Sequence, residues 1–153
     1  MNKTPVYQSL LQAVRALLQM EQDPIANAAN TSALLFNTLS GLNWAGFYIL
    51  RGDTLVLGPF QGKPACVRIP LGKGVCGTAA QKQQTLVVKD VHAFPGHIAC
   101  DAASNSEIVI PIIKNGKLWG VLDIDSPLLA RFDETDQQFL EQLAQLFARS
   151  SAL

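Results

Sequence analysis

Residues 106–126 read SEIVIPIIKNGKLWGVLDIDS. Two runs rich in β-branched and aliphatic residues flank Asn115-Gly116, and this dipeptide between two such runs is the strongest short-range signal for a β-hairpin. The segment predicts two antiparallel strands, over 106–113 and 117–125. The register of the pair then matters, because a shift by one residue moves every side chain of a strand to the other face.

The register decides whether three acidic side chains of the hairpin lie together. A two-residue turn would mix carboxylates into the apolar face, whereas a three-residue loop over 114–116 leaves one face wholly apolar. We predict the three-residue loop, since the register follows the buried face. Glu107 then lies opposite Asp123, and Asp125 shares their face because side chains two apart on a strand point the same way. This register also places Trp119 on that face.

The acidic face has two interpretations. Carboxylates this close disfavour joint ionisation, so one of them would hold a proton near neutral pH and could serve as a general acid or bind an ammonium group. Alternatively, the acids are the solvent-facing positions of an alternating strand. The residues alone leave both interpretations open.

Helical segments flank the β-rich middle of the chain. Thr4-Pro5 and Asp23-Pro24 each pair a capping residue with proline, and Asp133 precedes the last apolar stripe, so all three predict helix starts. The prediction is one domain over 1–153 of the α+β class, built on an antiparallel sheet. Helices would cover one face of the sheet, and loops, the 89–104 segment among them, would cover the other; the loops of that face are ligand-site loops if the resemblance described below holds. The segments are two helices over 4–40, the sheet with cysteine-bearing loops over 44–126 and a final helix over 133–150.

Composition excludes several classes of partner. The chain has 153 residues, of which 48% are hydrophobic, and its 12 basic residues balance 12 acidic ones without forming blocks. Nothing in this pattern favours nucleic acid or an anionic membrane as a partner. The start lacks the layout of a signal peptide, and no apolar run approaches the roughly 18 residues of a membrane span. We therefore expect a cytoplasmic protein, in a compartment where lasting disulfides are rare.

The three cysteines have different surroundings. Cys66 lies in a strand candidate over 65–69, where packing is the natural role. Cys76 lies between glycines near the start of a short helix predicted over 74–84, where backbone amides can stabilise a thiolate, although packing is an equal alternative. Cys100 lies in the long irregular segment 89–104 and is the best candidate for a reactive thiol.

Other common kinds of site lack support in the sequence. No C-x₂₋₄-C pair accompanies the two histidines, so we expect no metal. Nucleotide-binding loops, dinucleotide fingerprints and the serine nucleophile elbow are also missing, which leaves phosphate and acyl chemistry without a motif.

Five motifs that occur in order resemble the free methionine-(R)-sulfoxide reductase family, a stand-alone GAF domain. The resemblance runs from about Trp44 to the final helix, and the two N-terminal helices also match the family. Agreement of several separate motifs is far more specific than any one of them. The motifs are NWAGFY (43–48), GKGVCG (72–77), FPGHIACD (94–101), SEIVIP (106–111) and LDIDSP (122–127).

The resemblance implies an enzyme that reduces free L-methionine (R)-sulfoxide and not the protein-bound residue. Cys100 matches the nucleophile, which would attack the substrate sulfur, release methionine and become a sulfenic acid. Cys66 and Cys76 match the two resolving positions, one of which would form a disulfide with Cys100. Thioredoxin, kept reduced by thioredoxin reductase and NADPH, would reduce that disulfide. No bound cofactor is implied.

The resemblance also implies the substrate contacts. Glu107, Asp123 and Asp125 match the carboxylates that contact substrate, which is the trio that the hairpin argument reaches independently. Trp44 and Tyr48 match an aromatic wall for the apolar end of the substrate. A homodimer through the N-terminal helices is consistent with the family, although the apolar stripes of these helices could equally cover the sheet.

Two alternatives belong to other functional classes. A GAF domain can be a non-catalytic sensor of a small ligand, yet this chain carries no effector domain, and Asp101 stands where a bilin attachment site would have histidine. A thiol-disulfide redox sensor without a substrate of its own is the second alternative.

Overall fold

The computed structural model describes residues 2–98 and 100–153. Met1 and Ala99 lie outside the described residues, and so do the predictions that cover these two positions. Within the described part, four α-helices, six strands and a 3₁₀ turn follow one another. The helices are α1 (Thr4–Leu18), α2 (Pro24–Thr38), α3 (Gly74–Lys82) and α4 (Glu134–Ser150); the strands are β1 (Trp44–Arg51), β2 (Thr54–Gly62), β3 (Arg68–Pro70), β4 (Leu86–Val88), β5 (Ser106–Lys114) and β6 (Lys117–Ser126); the 3₁₀ turn is Val91–Ala93.

The strands form one antiparallel sheet in the order β3-β2-β1-β6-β5-β4. Successive side chains of the central strands point to opposite faces of the sheet, so the apolar ones form two hydrophobic clusters, one on each face. On one face, α1, α2 and α4 bury residues such as Phe47, Ile108 and Leu122. On the other face, α3 packs against Val109 and Val121. The predicted α+β class and the segregation of the terminal helices to one face are confirmed.

The apolar stripe of α1 is buried against the sheet side of the fold. Its buried residues are Tyr7, Leu10, Leu11, Val14 and Leu18. A homodimer through this helix, which stays a prediction, would therefore have to use the outer face of α1. Among the described residues, no helix combines the length and apolarity that a bilayer span requires.

The turn of the central hairpin differs from the predicted one. Lys114 pairs with Lys117, so the loop has two residues, Asn115 and Gly116, with φ of 53° and 76°. Positive φ at both central residues is the geometry of a type I′ turn, which the twist of the flanking strands favours. The predicted three-residue loop is wrong.

A β-bulge then changes the register beyond the turn. Ile113 faces Leu118 and Ile112 faces Gly120, which leaves Trp119 as an extra residue on β6. The bulge turns the Trp119 ring to the helical face, where its centroid lies 5.4 Å from that of Phe147. The prediction that Trp119 accompanies the acids is therefore wrong.

The starts of two helices agree with the sequence prediction. Asp23 accepts a hydrogen bond from the backbone N–H of Ala26, and Asp133 caps α4. At α1 the prediction is wrong by one residue: Lys3 occupies the N-cap position, and its side chain makes no capping bond. The third strand is shorter than predicted and begins at Arg68, so its ladder does not include Cys66.

Candidate active site

A small pocket lies on the face of the sheet that α3 covers. Seven of the eight residues predicted for the site line it, and the eighth, Cys66, is bonded to one of them. Its lining also includes residues that were not predicted for the site. The predicted residues in the lining are Trp44, Tyr48, Cys76, Cys100, Glu107, Asp123 and Asp125.

Three carboxyl groups form the floor of the pocket. Glu107 on β5 lies opposite Asp125 on β6, and Asp123 is two residues away on the same face of the sheet. Glu107 is 7% exposed and Asp123 is 5% exposed, while Asp125 is partly buried. This burial rules out the interpretation of a solvent-facing acidic edge. The bulge, and not the predicted loop, brings the three acids to one face.

Burial is the largest cause of the pKa shifts of these three carboxyl groups. It raises the pKa of Glu107 well above the ordinary value, and the nearby charges of Asp123 and Asp125 raise it further. Burial also raises the pKa of Asp123, and burial followed by the charge of Asp123 raises that of Asp125. The raised pKa values favour a proton shared by the trio, and this proton belongs to the coupled group.

Cys76 lies beside the acids, on the first turn of α3. It is buried, and its Sγ donates toward Oε2 of Glu107 at 3.8 Å. Burial raises the pKa of this thiol, and the charges of Asp123 and Glu107 add to the effect. These effects favour the neutral thiol and oppose the predicted stabilisation of a thiolate by the start of the helix.

Cys66 and Cys100 form a disulfide, with Cα atoms 5.3 Å apart. The bond joins two segments that border the pocket, the loop 63–67 between β2 and β3 and the loop 94–105 before β5. Cys66 therefore lies in a loop and not in the packed strand position that its local sequence indicates. The pairing also leaves Cys76 as the free thiol of the chain.

Two aromatic side chains of β1 hold the loop 63–67. The indole Nε1 of Trp44 donates to the carbonyl oxygen of Lys63 at 3.1 Å, and the hydroxyl of Tyr48 donates to that of Cys66 at 2.8 Å. The two rings stack with centroids 5.9 Å apart and form part of the pocket wall. Trp44 and Tyr48 thus combine an apolar surface with a polar grip on the loop that carries Cys66.

Asn43 holds the other loop. Its Nδ2 donates to Oδ2 of Asp101 at 2.9 Å and to Oγ of Ser104 at 3.0 Å. A hydrogen bond from the backbone N–H of Ala103, together with the one from Asn43, keeps the pKa of Asp101 below its ordinary value. Asp101 directly follows Cys100, so Asn43 anchors the loop of the bonded cysteine to the sheet.

Sequence reasoning did not assign several of these residues to the site. Lys73, His97, Asp101 and Ser104 also line the pocket, and Asn43 lies behind two of them. Burial and the neighbouring His92 lower the pKa of His97, which favours the neutral imidazole. Four of these five residues lie within the quoted motifs, which was the available signal, but a motif does not reveal which loop each residue contacts.

The cavity is small while the disulfide is closed. Its volume is about 40 Å³, which holds a few water molecules at most, whereas ligand pockets start at roughly 300 Å³. The disulfide joins the two loops that border this cavity.

Replacement of Glu107 by glutamine tests the burial of like charges at the floor. Folding raises the pKa values of the three carboxyls, so the native chain binds more protons than the unfolded chain above about pH 4. This contribution to stability is complete below that pH and is lost as pH rises toward the folded pKa values. Glu107→Gln removes one acid and keeps a donor toward the others, so we expect it to stabilise the oxidised protein by about 1–3 kcal/mol at pH 8.

The measurement is urea unfolding from pH 5 to pH 8. The wild type should lose stability over this range, and Glu107→Gln should lose less. Glu134→Gln, which changes an exposed carboxylate on α4, should retain the wild-type slope. An unchanged slope in Glu107→Gln, or a variant less stable than the wild type at pH 8, would contradict the raised pKa values.

Comparison with known proteins agrees with this site. The GAF domain family model matches residues 5–150. The chain is 58% identical to the free methionine-R-sulfoxide reductase of Escherichia coli over 143 residues, which cover 94% of this chain and 87% of that protein. Among solved structures, the fRMsr of Staphylococcus aureus in its reduced form has a TM-score of 0.92 at 52% identity, covering 94% of each chain.

A second solved structure includes a ligand. The free methionine-R-sulfoxide reductase of Neisseria meningitidis, in complex with its substrate, has a TM-score of 0.94 at 47% identity, covering 98% of this chain and 90% of that one. These identities extend over nearly the whole chain and accompany the same fold. The chain belongs to the free methionine-(R)-sulfoxide reductase family of GAF-domain proteins.

Proposed function

We propose that this protein reduces free L-methionine (R)-sulfoxide to L-methionine with Cys100 as the nucleophile. One observation carries the proposal: Cys100 is bonded to Cys66 beside a pocket whose floor consists of buried carboxyl groups. The disulfide is the state that the protein would reach after one turnover. The reactive thiol and a proton source therefore border one cavity, as reduction of a sulfoxide requires.

The reaction uses the floor as an acid. The Cys100 thiolate attacks the sulfoxide sulfur, and the carboxyl group of Glu107, whose pKa is raised by burial, supplies a proton to the sulfoxide oxygen. Without this proton, oxygen is a poor leaving group. The hydroxyl group then passes from the substrate sulfur to the Cys100 sulfur as the bond between the two sulfurs breaks. Its electron pair stays on the substrate sulfur, so Cys100 becomes a sulfenic acid and methionine leaves as the reduced product. Asp123 and Asp125 would hold the ammonium group of the substrate.

Cys66 is the better resolving residue of the two candidates. Its Cα lies 5.3 Å from that of Cys100, and it belongs to a loop. Cys76 is a buried neutral thiol that donates toward Glu107. The Cys66 thiolate attacks the sulfenic sulfur, the oxygen leaves as water and the disulfide forms. Cys76 in this proposal orders the acidic floor and does not react first.

The regeneration step needs an external dithiol. A thioredoxin-class protein, kept reduced by thioredoxin reductase and NADPH, would attack the disulfide and restore both thiols. This donor belongs to the cytoplasm, which we propose as the compartment of the reaction. The pocket itself requires no bound cofactor for these steps, since the electrons come from thiols throughout.

A coupled assay tests the proposed function. The reduced protein is mixed with thioredoxin, thioredoxin reductase and NADPH, and NADPH consumption is followed after addition of free methionine (R)-sulfoxide. We expect turnover of this epimer and little turnover of the (S) epimer or of a peptide that contains the sulfoxide. Reduction of the Cys66–Cys100 disulfide without any turnover of the sulfoxide would favour the redox sensor instead.

Replacement of Asn43 by alanine should slow the reaction about tenfold, because two hydrogen bonds that anchor the loop of Cys100 are lost. The measurement is kcat/KM in the coupled assay, together with the rate of disulfide formation after one equivalent of substrate. Asn37→Ala, on the exposed surface of α2, is the matched control. Wild-type rates in Asn43→Ala would show that the anchor has no role in positioning Cys100.

A further inference from the structure

Three buried ligand atoms from three different elements converge at the pocket floor. They are Sγ of Cys76 on α3, a carboxylate oxygen of Glu107 on β5 and one of Asp123 on β6, and all lie within 4.8 Å of one another. The Sγ atom is 3.8 Å from Oε2 of Glu107. These are spacings at which side chains can share a metal ion.

A second observation at the same place indicates a missing partner. Oδ1 of Asp123 has no hydrogen-bond partner among the described residues, although the side chain is only 5% exposed. The Asp123 side chain is part of the pocket lining. A buried acceptor without a donor is costly, and a cation in the cavity would supply what this oxygen lacks.

The donor set selects the kind of ion. One thiolate and two carboxylates suit zinc, with Zn–S near 2.3 Å and Zn–O near 2.1 Å, and a tetrahedral ion with such bonds separates its sulfur and oxygen ligands by about 3.6 Å. The observed 3.8 Å between Sγ and Oε2 is close to that value. Magnesium and calcium prefer oxygen ligands throughout. The adjacent cavity of about 40 Å³ has room for a water molecule as the fourth ligand.

We propose that Cys76, Glu107 and Asp123 form a binding site for zinc-type divalent ions at the floor of the pocket. On binding, Cys76 gives up its thiol proton to solvent and coordinates as thiolate. The ion would occupy the position that the substrate ammonium requires, so metal and substrate exclude one another. That exclusion rests on the proposed function, whereas the metal site itself does not. The sequence predicts no metal because its ligands are far apart in the chain.

The test uses the oxidised protein, in which the Cys66–Cys100 disulfide leaves Cys76 as the free thiol. Titration with Cd²⁺ should produce a thiolate-to-cadmium charge-transfer band that saturates at about one equivalent. Zn²⁺ should abolish the band and Mg²⁺ should not. Cys76→Ser should lack the band, and Asp123→Asn should bind Cd²⁺ at least about tenfold more weakly. Glu134→Gln controls for binding to surface carboxylates.

Several outcomes would overturn the site. These are the absence of a saturating band, a band that persists in Cys76→Ser, or an affinity that is unchanged in Asp123→Asn. Far-ultraviolet circular dichroism of each variant verifies that it is folded. The exclusion is tested separately in a Cys66→Ser/Cys100→Ser variant, where free methionine (R)-sulfoxide should displace Cd²⁺. If it fails to do so while the oxidised wild type binds Cd²⁺, the metal site stands and the mutual exclusion is wrong.

Discussion

Cys100→Ser should lower the rate of methionine release by at least ~10⁴-fold, the order of loss when the nucleophile of a covalent catalyst is removed. Serine cannot form the sulfenic acid through which the oxygen of the substrate leaves. The measurement is single-turnover release of methionine from free methionine (R)-sulfoxide by the reduced protein. Release at a rate near that of the wild type would show that another thiol is the nucleophile.

The two other cysteines provide matched variants for this experiment. Cys66→Ser keeps the nucleophile and should release one equivalent of methionine, but it should fail to cycle with thioredoxin because no disulfide with Cys66 can form. Cys76→Ser should both release methionine and cycle, since we propose that Cys76 belongs to the floor. Failure to cycle in Cys76→Ser with normal cycling in Cys66→Ser would reverse the assignment of the resolving residue.

N-acetyl-methionine (R)-sulfoxide should have a kcat/KM about 10²–10⁴-fold lower than that of the free amino acid. Acetylation removes the ammonium group, which leaves the buried carboxylates of Asp123 and Asp125 without a cationic partner. Breaking a buried ion pair costs roughly 3–5 kcal/mol, and this cost sets the size of the effect. The same argument explains why a methionine sulfoxide within a peptide chain would be excluded.

The methyl ester of free methionine (R)-sulfoxide is the control substrate. It keeps the ammonium group and changes only the carboxylate end, so we expect it to lose less activity than the N-acetyl compound. Comparable turnover of the N-acetylated and free substrates would contradict the role of the carboxylates as the ammonium site.

Strand alternation predicted which acids share a face, although the register that produced the prediction was wrong. The structure has a two-residue turn and a bulge at Trp119 instead of the three-residue loop. The bulge adds one residue to β6, and the longer loop would have added one residue to the turn. Either extra residue shifts the pairing by one position, so Glu107, Asp123 and Asp125 still share one face. Trp119 lies within the bulge and therefore changed sides.

The pairing of the cysteines could not be derived from local sequence. Cys66 reads as a packed strand residue, and only the resemblance made it a candidate for a redox role. Its position depends on bonds from Trp44 and Tyr48 to the loop 63–67. Those bonds join residues that are about twenty positions apart, which no local pattern encodes.

The sequence by itself determined the α+β class, the two aspartate helix caps and the face of the acids, because each follows from the periodicity or the backbone bonding of near neighbours. Only the tertiary structure decided that Cys66 pairs with Cys100, that Asn43 holds the loop of Cys100, and that the Cys76 thiol lies against Glu107. These features depend on how distant segments meet across the sheet. The carboxyl groups of the floor become buried, and their pKa values rise, only when the chain has folded.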